Sequence, residues 1–272
     1  MLLKRIITAA ILIPLILAAI IYLPPLYFSL LVAVFILLGA WEWSVLIGLT
    51  KNSARIIYVL CIAFVILTLL FFHTHTHIPT LLTATLIWLW AFIAIINYQK
   101  NGSGVGFQFP LLRAMIGVII LISTWISIVI LKTYPNFGAS WLILVFIIIW
   151  SADIGAFFAG RAFGKHALCS RVSPKKTWEG FVGGTVLSVI MAAIGGLFLS
   201  LTTQHYIYLL VLALLTALFS VVGDLSVSLL KRMSGVKDSG KIFPGHGGLL
   251  DRLDSIAAGM VVFVLGMFVL GL

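Results

Sequence analysis

Long apolar runs separated by short polar ones divide the whole chain. Nine runs stand out, at about 6–23, 26–47, 54–72, 78–96, 113–131, 139–159, 181–201, 206–230 and 255–272. Each reaches the ~18 residues, nearly free of charge, that mark a membrane-spanning helix. The short alternating segments of a membrane β-barrel are absent. In hydrocarbon, backbone groups must be satisfied within the segment, which selects helices. The expected fold is therefore all-α: a polytopic integral membrane protein of about nine transmembrane helices. The loops are too short to hold a separate soluble domain. Lys4 and Arg5 precede the first run as they would in a secretory signal. That run is too long for such a signal and no small-residue cleavage site follows, so it reads as a retained helix.

Composition agrees with this reading. Hydrophobic residues make up 62% of the 272 and charged ones 9%, against roughly a quarter charged in soluble domains. Charge placement then sets an orientation. Basic residues collect in cytoplasmic loops. With the N-terminus inside and nine crossings, the inside segments hold Lys4, Arg5, Lys51, Arg55, Lys100, Arg113, Arg161, Lys165, Arg171, Lys175, Lys176, Lys231, Arg232, Lys237, Lys241 and Arg252. Only Lys132 falls outside, and the C-terminus ends outside. The net charge of +10 is thus a one-sided field, suited to anionic lipid headgroups or an anionic cytosolic substrate. Cys61 and Cys169 fall at different depths, so neither a disulfide nor a metal pair is expected.

The two halves differ in chemistry. Residues 1–135 read as a transmembrane scaffold, and residues 136–272 as a catalytic region with a polar pocket facing the cytoplasm. The only acid of the first half is Glu42, in "AWEWSVLIG". Its flanking tryptophans suit an interfacial belt; a polar helix–helix contact is the alternative. His73, His75 and His77 lie on an outside loop, where a wet connection accounts for them and nothing else completes a metal site. "NGSGVGF", Asn101 to Phe107, follows a membrane helix and not a strand, so it reads as a linker and not as a nucleotide loop.

The other six acids lie between Asp153 and Asp254, in or beside inside loops. A carboxylate within a span costs about 2.5–3.5 kcal/mol on insertion scales, which makes Asp153 a functional candidate with a partner. Arg161 or Lys165 would supply that partner as a structural pair. In "SRVSPKKTWEGFVGG", Ser173 reads as a helix cap with Pro174 at the first helical position. Lys175 and Lys176 then sit at the positive helix end, an anion site. Glu179 would fix a lysine or help hold a metal, while Gly180, Gly183 and Gly184 suit close helix packing. Asp224, Ser228 and Lys231 fall at i, i+4 and i+7, on one helix face.

The stretch "KRMSGVKDSGKIFPGHGGLLDRLD", Lys231 to Asp254, gathers most of the remaining polarity. Its glycines permit unusual backbone shapes, and Asp251 and Asp254 share a face at the start of the last helix. Such carboxylates tolerate each other best beside a hard divalent ion such as Mg2+, which often bridges to phosphates. Lys231, Arg232, Lys237, Lys241 and Arg252 supply charge for a triphosphate. Aligning and neutralising phosphates is the work of phosphoryl-type transfer.

The stretch Ser228 to Asp254, with S-x-x-K-R, K-D, P-x-H-G-G and D-R-x-D, resembles the signature of the phosphatidate cytidylyltransferases (CDP-diacylglycerol synthases). The blocks around Asp153, "SPKKTWEG" and Asp224 resemble that family as well. The resemblance implies a membrane enzyme that joins CTP to phosphatidic acid, giving CDP-diacylglycerol and pyrophosphate. It further implies Mg2+, with a monovalent cation such as K+ beside it, a homodimer, and a bacterial inner membrane with the site facing the cytoplasm. No nucleic-acid partner is expected.

On this reading Asp224, Lys231, Asp251 and Asp254 are the catalytic candidates. Asp224, Asp251 and Asp254 are candidates for the metal. Contacts to substrate are expected from Asp153, Arg161, Ser173, Lys175, Lys176, Glu179, Ser228, Arg232, Lys237, Asp238, His246, Gly247, Gly248 and Arg252. Spacing leaves open which carboxylates hold metal and which orient lysines. Rival classes are a transporter lined by the intramembrane acids, a membrane kinase, and a transferase that uses a CDP-activated lipid.

Overall fold

A computed structural model describes residues 2–72, 77–135, 137–240 and 247–272. His73, His75, Lys241 and His246 lie outside the described residues. The elements are α1 (Leu2–Tyr22), α2 (Pro25–Ile47), α3 (Asn52–Phe72), α4 (His77–Asn101), α5 (Pro110–Thr133), α6 (Gly138–Phe163), β1 (Ala167–Cys169), β2 (Ser173–Thr177), α7 (Trp178–Gly196), α8 (Thr203–Met233) and α9 (Leu250–Leu270). Eight helices among the described residues are long and apolar enough to cross a membrane, and α1 adds the apolar stretch Leu12–Tyr22. The chain is an all-α integral membrane protein, as its pattern predicts.

Local chemistry sets the helix ends. Pro25 and Pro110 open α2 and α5, at a position where the missing N–H is not needed. Gly48, at φ 96°, closes α2 in the left-handed conformation, which glycine adopts without steric cost. Thr202 caps α8 by accepting the His205 N–H at 3.2 Å. With 31 residues, α8 runs about 46 Å at 1.5 Å per residue, well beyond a hydrocarbon core of about 30 Å. A helix of that length has room for its last turn, with Lys231 and Arg232, to lie beyond the apolar slab.

The expectation at "SRVSPKK" fails. Ser173 does not cap a helix; Ser173 to Thr177 form β2, paired antiparallel with β1. The helix starts instead at Trp178, capped by Thr177, whose hydroxyl accepts the Gly180 N–H at 3.2 Å. Pro174 is tolerated because a two-stranded hairpin consists of edges. Lys175 and Lys176 therefore project from a strand and not from a helix N-terminus.

Small residues let two helix pairs approach closely. A Cβ on Gly155 of α6 would lie 2.8 Å from the Gly183 carbonyl oxygen, and one on Gly180 of α7 would lie 2.8 Å from that of Ala156. Ser188 adds a bond across this pair to the Ile148 carbonyl at 2.8 Å. Gly223 of α8 similarly abuts the Asp254 carbonyl oxygen of α9. The spans of α5 and α9 are each 67% buried and form the centre, whereas α3, at 17%, lies at the edge. Since α9 packs on α2, α4 and α5 as well as α8, the first half of the chain touches the helix that carries the last two acids.

Candidate active site

The polar residues converge where the C-terminal parts of α6 and α8 meet β2 and the start of α7. A cavity of about 230 Å³ lies there, with Asp153, Lys175, Lys176 and Asp224 on its wall beside Phe157 and Phe181. The carboxylates come from α6 and α8 and both lysines from β2, brought together beside the close α6–α7 packing.

Lys176 reaches across to Asp224, with Nζ 2.5 Å from Oδ2. Ser228, one turn along α8, donates to Asp224 Oδ1 at 3.3 Å. Asp153 and Asp254 lie within electrostatic reach of Asp224 and of each other, with Lys176 as their common cation. Asp153 is not clamped by Arg161 or Lys165; the cations that act on it are Lys176 and Arg252. Asp254 is 6% exposed, and its Oδ1 accepts the Ser255 N–H at 2.8 Å.

A second ion pair joins α8 to α9. Lys231 Nζ lies 2.5 Å from Asp251 Oδ1, and the two side chains are only 14% and 13% exposed. The other oxygen, Oδ2, accepts the N–H groups of Ser239 at 3.2 Å and Gly248 at 3.1 Å. Asp251 and Asp254 thus have separate surroundings although they share a helix turn. Gly247, at φ 81°, gives the backbone the turn that brings the Gly248 N–H to this carboxylate. The axial run Asp224, Ser228, Lys231 is not closed by an Asp224–Lys231 pair: each charge finds its partner on another element.

Of the remaining predicted residues, Arg232 donates through Nε to the Val172 carbonyl at 3.3 Å, tying α8 to the hairpin. Glu179 holds neither a lysine nor the acidic cluster; its Oε1 lies 2.7 Å from His166 Nδ1. Arg161, Lys175, Lys237, Asp238 and Arg252 are exposed. Among the described residues no three His, Cys, Asp or Glu side chains form a ready metal site.

Two polar residues outside the candidate list are also held in place. At Glu42 the interfacial reading gives way to the alternative, a polar helix–helix contact: it is 2% exposed and accepts from Leu249 N at 3.0 Å, Leu250 N at 2.7 Å and Ser239 Oγ at 3.0 Å. Arg113 is likewise buried. It donates to the carbonyls of Phe107 and Leu46 and, at 3.1 Å, to Ser234 Oγ. The loop at 101–109 is accordingly more than a linker, since Phe107 is 1% exposed and anchors it. One signal for Glu42 was available: a lone acid at a helix end, with no cation within helical reach, in a chain with only seven acids.

The fold and this rim define a class: a polytopic membrane protein that gathers carboxylates and lysines around a cavity at one end of its helices. The chain belongs to the cytidylyltransferase family, which matches residues 3–270. It is 37% identical over 268 residues to a phosphatidate cytidylyltransferase of Pseudomonas aeruginosa, covering 97% of this chain and 96% of that one. A Haemophilus influenzae protein of the same name is 34% identical over 282 residues, with 97% of each chain covered. One from Bacillus subtilis is 43% identical over 140 residues, about half of each chain (51% and 52%).

Proposed function

We propose that this chain transfers CMP from CTP to phosphatidic acid, giving CDP-diacylglycerol and pyrophosphate. The observation that carries the reading is the cavity itself: two lysines and two carboxylates line it together with Phe157, Phe181 and Leu168. A substrate with a phosphate head and acyl tails matches that mixed lining. A phosphate oxygen of the lipid attacks the α-phosphorus of CTP. A new P–O bond forms there, the α–β bridge breaks, and pyrophosphate departs in line with the attack. A phosphate monoester is largely ionised near neutral pH, so His246 need not act as a base.

Within this reading Lys175 and Lys176 hold the lipid phosphate. Lys231, Arg232, Lys237 and Arg252 face the triphosphate. Releasing Lys176 from Asp224, or Lys231 from Asp251, toward a phosphate exchanges one anionic partner for another. That exchange keeps each ammonium paired; it leaves Asp224 free to meet a cation, and leaves Asp251 with the Ser239 and Gly248 N–H groups.

Asp153, Asp224 and Asp254 act on one another, with Lys176 near all three and Arg252 acting on Asp153, a cluster of carboxylates that a divalent cation would bridge. Mg2+ takes oxygen ligands and is usually bound through one or two carboxylates together with substrate phosphates, so a site without three assembled ligands suits it. Asp224 and Asp254, with Asp153, would hold it; it would supply charge neutralisation at the α-phosphate and the leaving group. Asp251 spends both oxygens on Lys231 and two backbone N–H groups, and we assign it to positioning. By the same reading the chain lies in a bacterial inner membrane, its rim toward the cytoplasm.

Detergent-purified protein incubated with CTP, phosphatidic acid and Mg2+ should form CDP-lipid, detected by mass spectrometry of the extracted lipids. If lipid and nucleotide come through unchanged, the proposal fails.

A further inference from the structure

Glu42 lies in α2, remote in sequence from every residue of the proposed site, yet its carboxylate ends on the first turn of α9. That helix has no cap of its own: Leu249 occupies the N-cap position and no side chain of its segment accepts there. The first N–H groups of a helix lack intrahelical partners. Glu42 takes two of them, Leu249 through Oε1 and Leu250 through Oε2. A carboxylate is favoured at this positive end, and charge-assisted bonds are the stronger kind.

The same carboxylate starts a chain of contacts toward Lys231. Ser239 donates its hydroxyl to Glu42 Oε2 at 3.0 Å and its N–H to Asp251 Oδ2 at 3.2 Å. Asp251 Oδ1 then meets Lys231 Nζ at 2.5 Å. Ser239 is 3% exposed, so it has no water to turn to. The backbone is fitted to this anion on both sides: a Cβ on Gly240 or on Gly248 would run into the Glu42 carboxylate. The described partners of Glu42 are all neutral donors, and its position is over-determined by them.

We propose that Glu42 is a positioning residue for nucleotide transfer: from the scaffold half it fixes Ser239 and the start of α9, and thereby the orientation of Asp251 and Lys231 toward the triphosphate. It touches no substrate. The inference rests on the proposed activity and adds a role for the first half of the chain.

The experiment compares wild type, Glu42→Gln and Ser239→Ala. Turnover and the KM values for CTP and for phosphatidic acid are measured separately, well below each variant's thermal midpoint. Glutamine keeps the shape but turns one acceptor into a donor facing an N–H group. Glu42→Gln should lower kcat at least tenfold and raise the KM for CTP at least fivefold. The KM for phosphatidic acid should stay within twofold, because Lys175 and Lys176 sit on β2. Ser239→Ala, which removes one hydroxyl, should move the same two constants in the same direction by about threefold. A residue that merely held the fold together would reduce the amount of active protein and leave both KM values alone. Equal KM values in all three proteins, or a rise confined to phosphatidic acid, overturn the proposal. Should wild type itself make no CDP-lipid, the activity reading falls and this inference falls with it. Should wild type be active and the variants kinetically unchanged, this inference alone is lost.

Discussion

The Lys231–Asp251 pair offers a way to separate structural from catalytic contributions. Both side chains are nearly enclosed, at 14% and 13% exposure, with 2.5 Å between their charged atoms. Replacing Lys231 by methionine keeps the length and removes the charge. Asp251 would then be left with the Ser239 and Gly248 N–H groups as its described donors. Stranding one partner of a buried pair costs roughly 3–5 kcal/mol. Residual exposure and those two N–H bonds lower the expectation here to about 2–3 kcal/mol. Removing the second charge as well, in Lys231→Met/Asp251→Asn, should return most of that loss, since a neutral amide still accepts both N–H bonds. The cycle should therefore show a coupling of about 2 kcal/mol, read from thermal unfolding in detergent. Turnover should behave differently. With Lys231 facing the triphosphate, both variants that lack it should lose about 100-fold or more in CDP-lipid formation, and the restored stability should recover none of it. Additive stability losses would refute the pair as the geometry describes it. Near-normal turnover in Lys231→Met would refute its part in phosphate neutralisation.

Three further outcomes follow from the same geometry. Asp254→Asn replaces a buried carboxyl group beside two other carboxylates; thermal stability should hold or rise while turnover falls by about 100-fold and half-activation shifts to higher Mg2+, and a destabilised but fully active variant would contradict this. Gly155→Leu should force α6 off α7, because even a Cβ there would lie 2.8 Å from the Gly183 carbonyl oxygen; a loss of at least about 1–3 kcal/mol is expected, seen as a lowered thermal midpoint. Cys169 is 4% exposed and burial pushes its thiol above the ordinary cysteine range, so at neutral pH it stays protonated and should resist alkylation until the protein unfolds; rapid labelling of the folded protein, followed by mass spectrometry, would show the hairpin to be open.

How far the sequence carried the account depended on the range of the interaction. The spans were legible because a helix in lipid needs an unbroken apolar run, a local property. The gathering of acids and lysines was legible for the same reason: in so apolar a chain, each charge stands out. Pairing was not. Lys176 meets Asp224, and Asp251 meets Lys231, because of how β2 and α9 come to lie against α8, and nothing within one segment reveals that. At Ser173 a local rule misled. Serine before proline suits a helix start, but the chain has a turn at Ser170 to Val172 that folds β2 back on β1, and Thr177 takes the cap. At Glu42 the alternative reading, a polar helix–helix contact, proved the right one. Beside tryptophans it looks interfacial; only the arrival of α9 turns it into the cap of a helix that begins at Leu250.

The central claim is that the rim joins a nucleotide to a lipid phosphate at the α-position. Supplying purified protein with phosphatidic acid and CTP labelled at either the α- or the γ-phosphate decides it directly. Label from the α-position should enter the lipid fraction while γ-label leaves in pyrophosphate; γ-label in the lipid, or none from either position, would contradict the account.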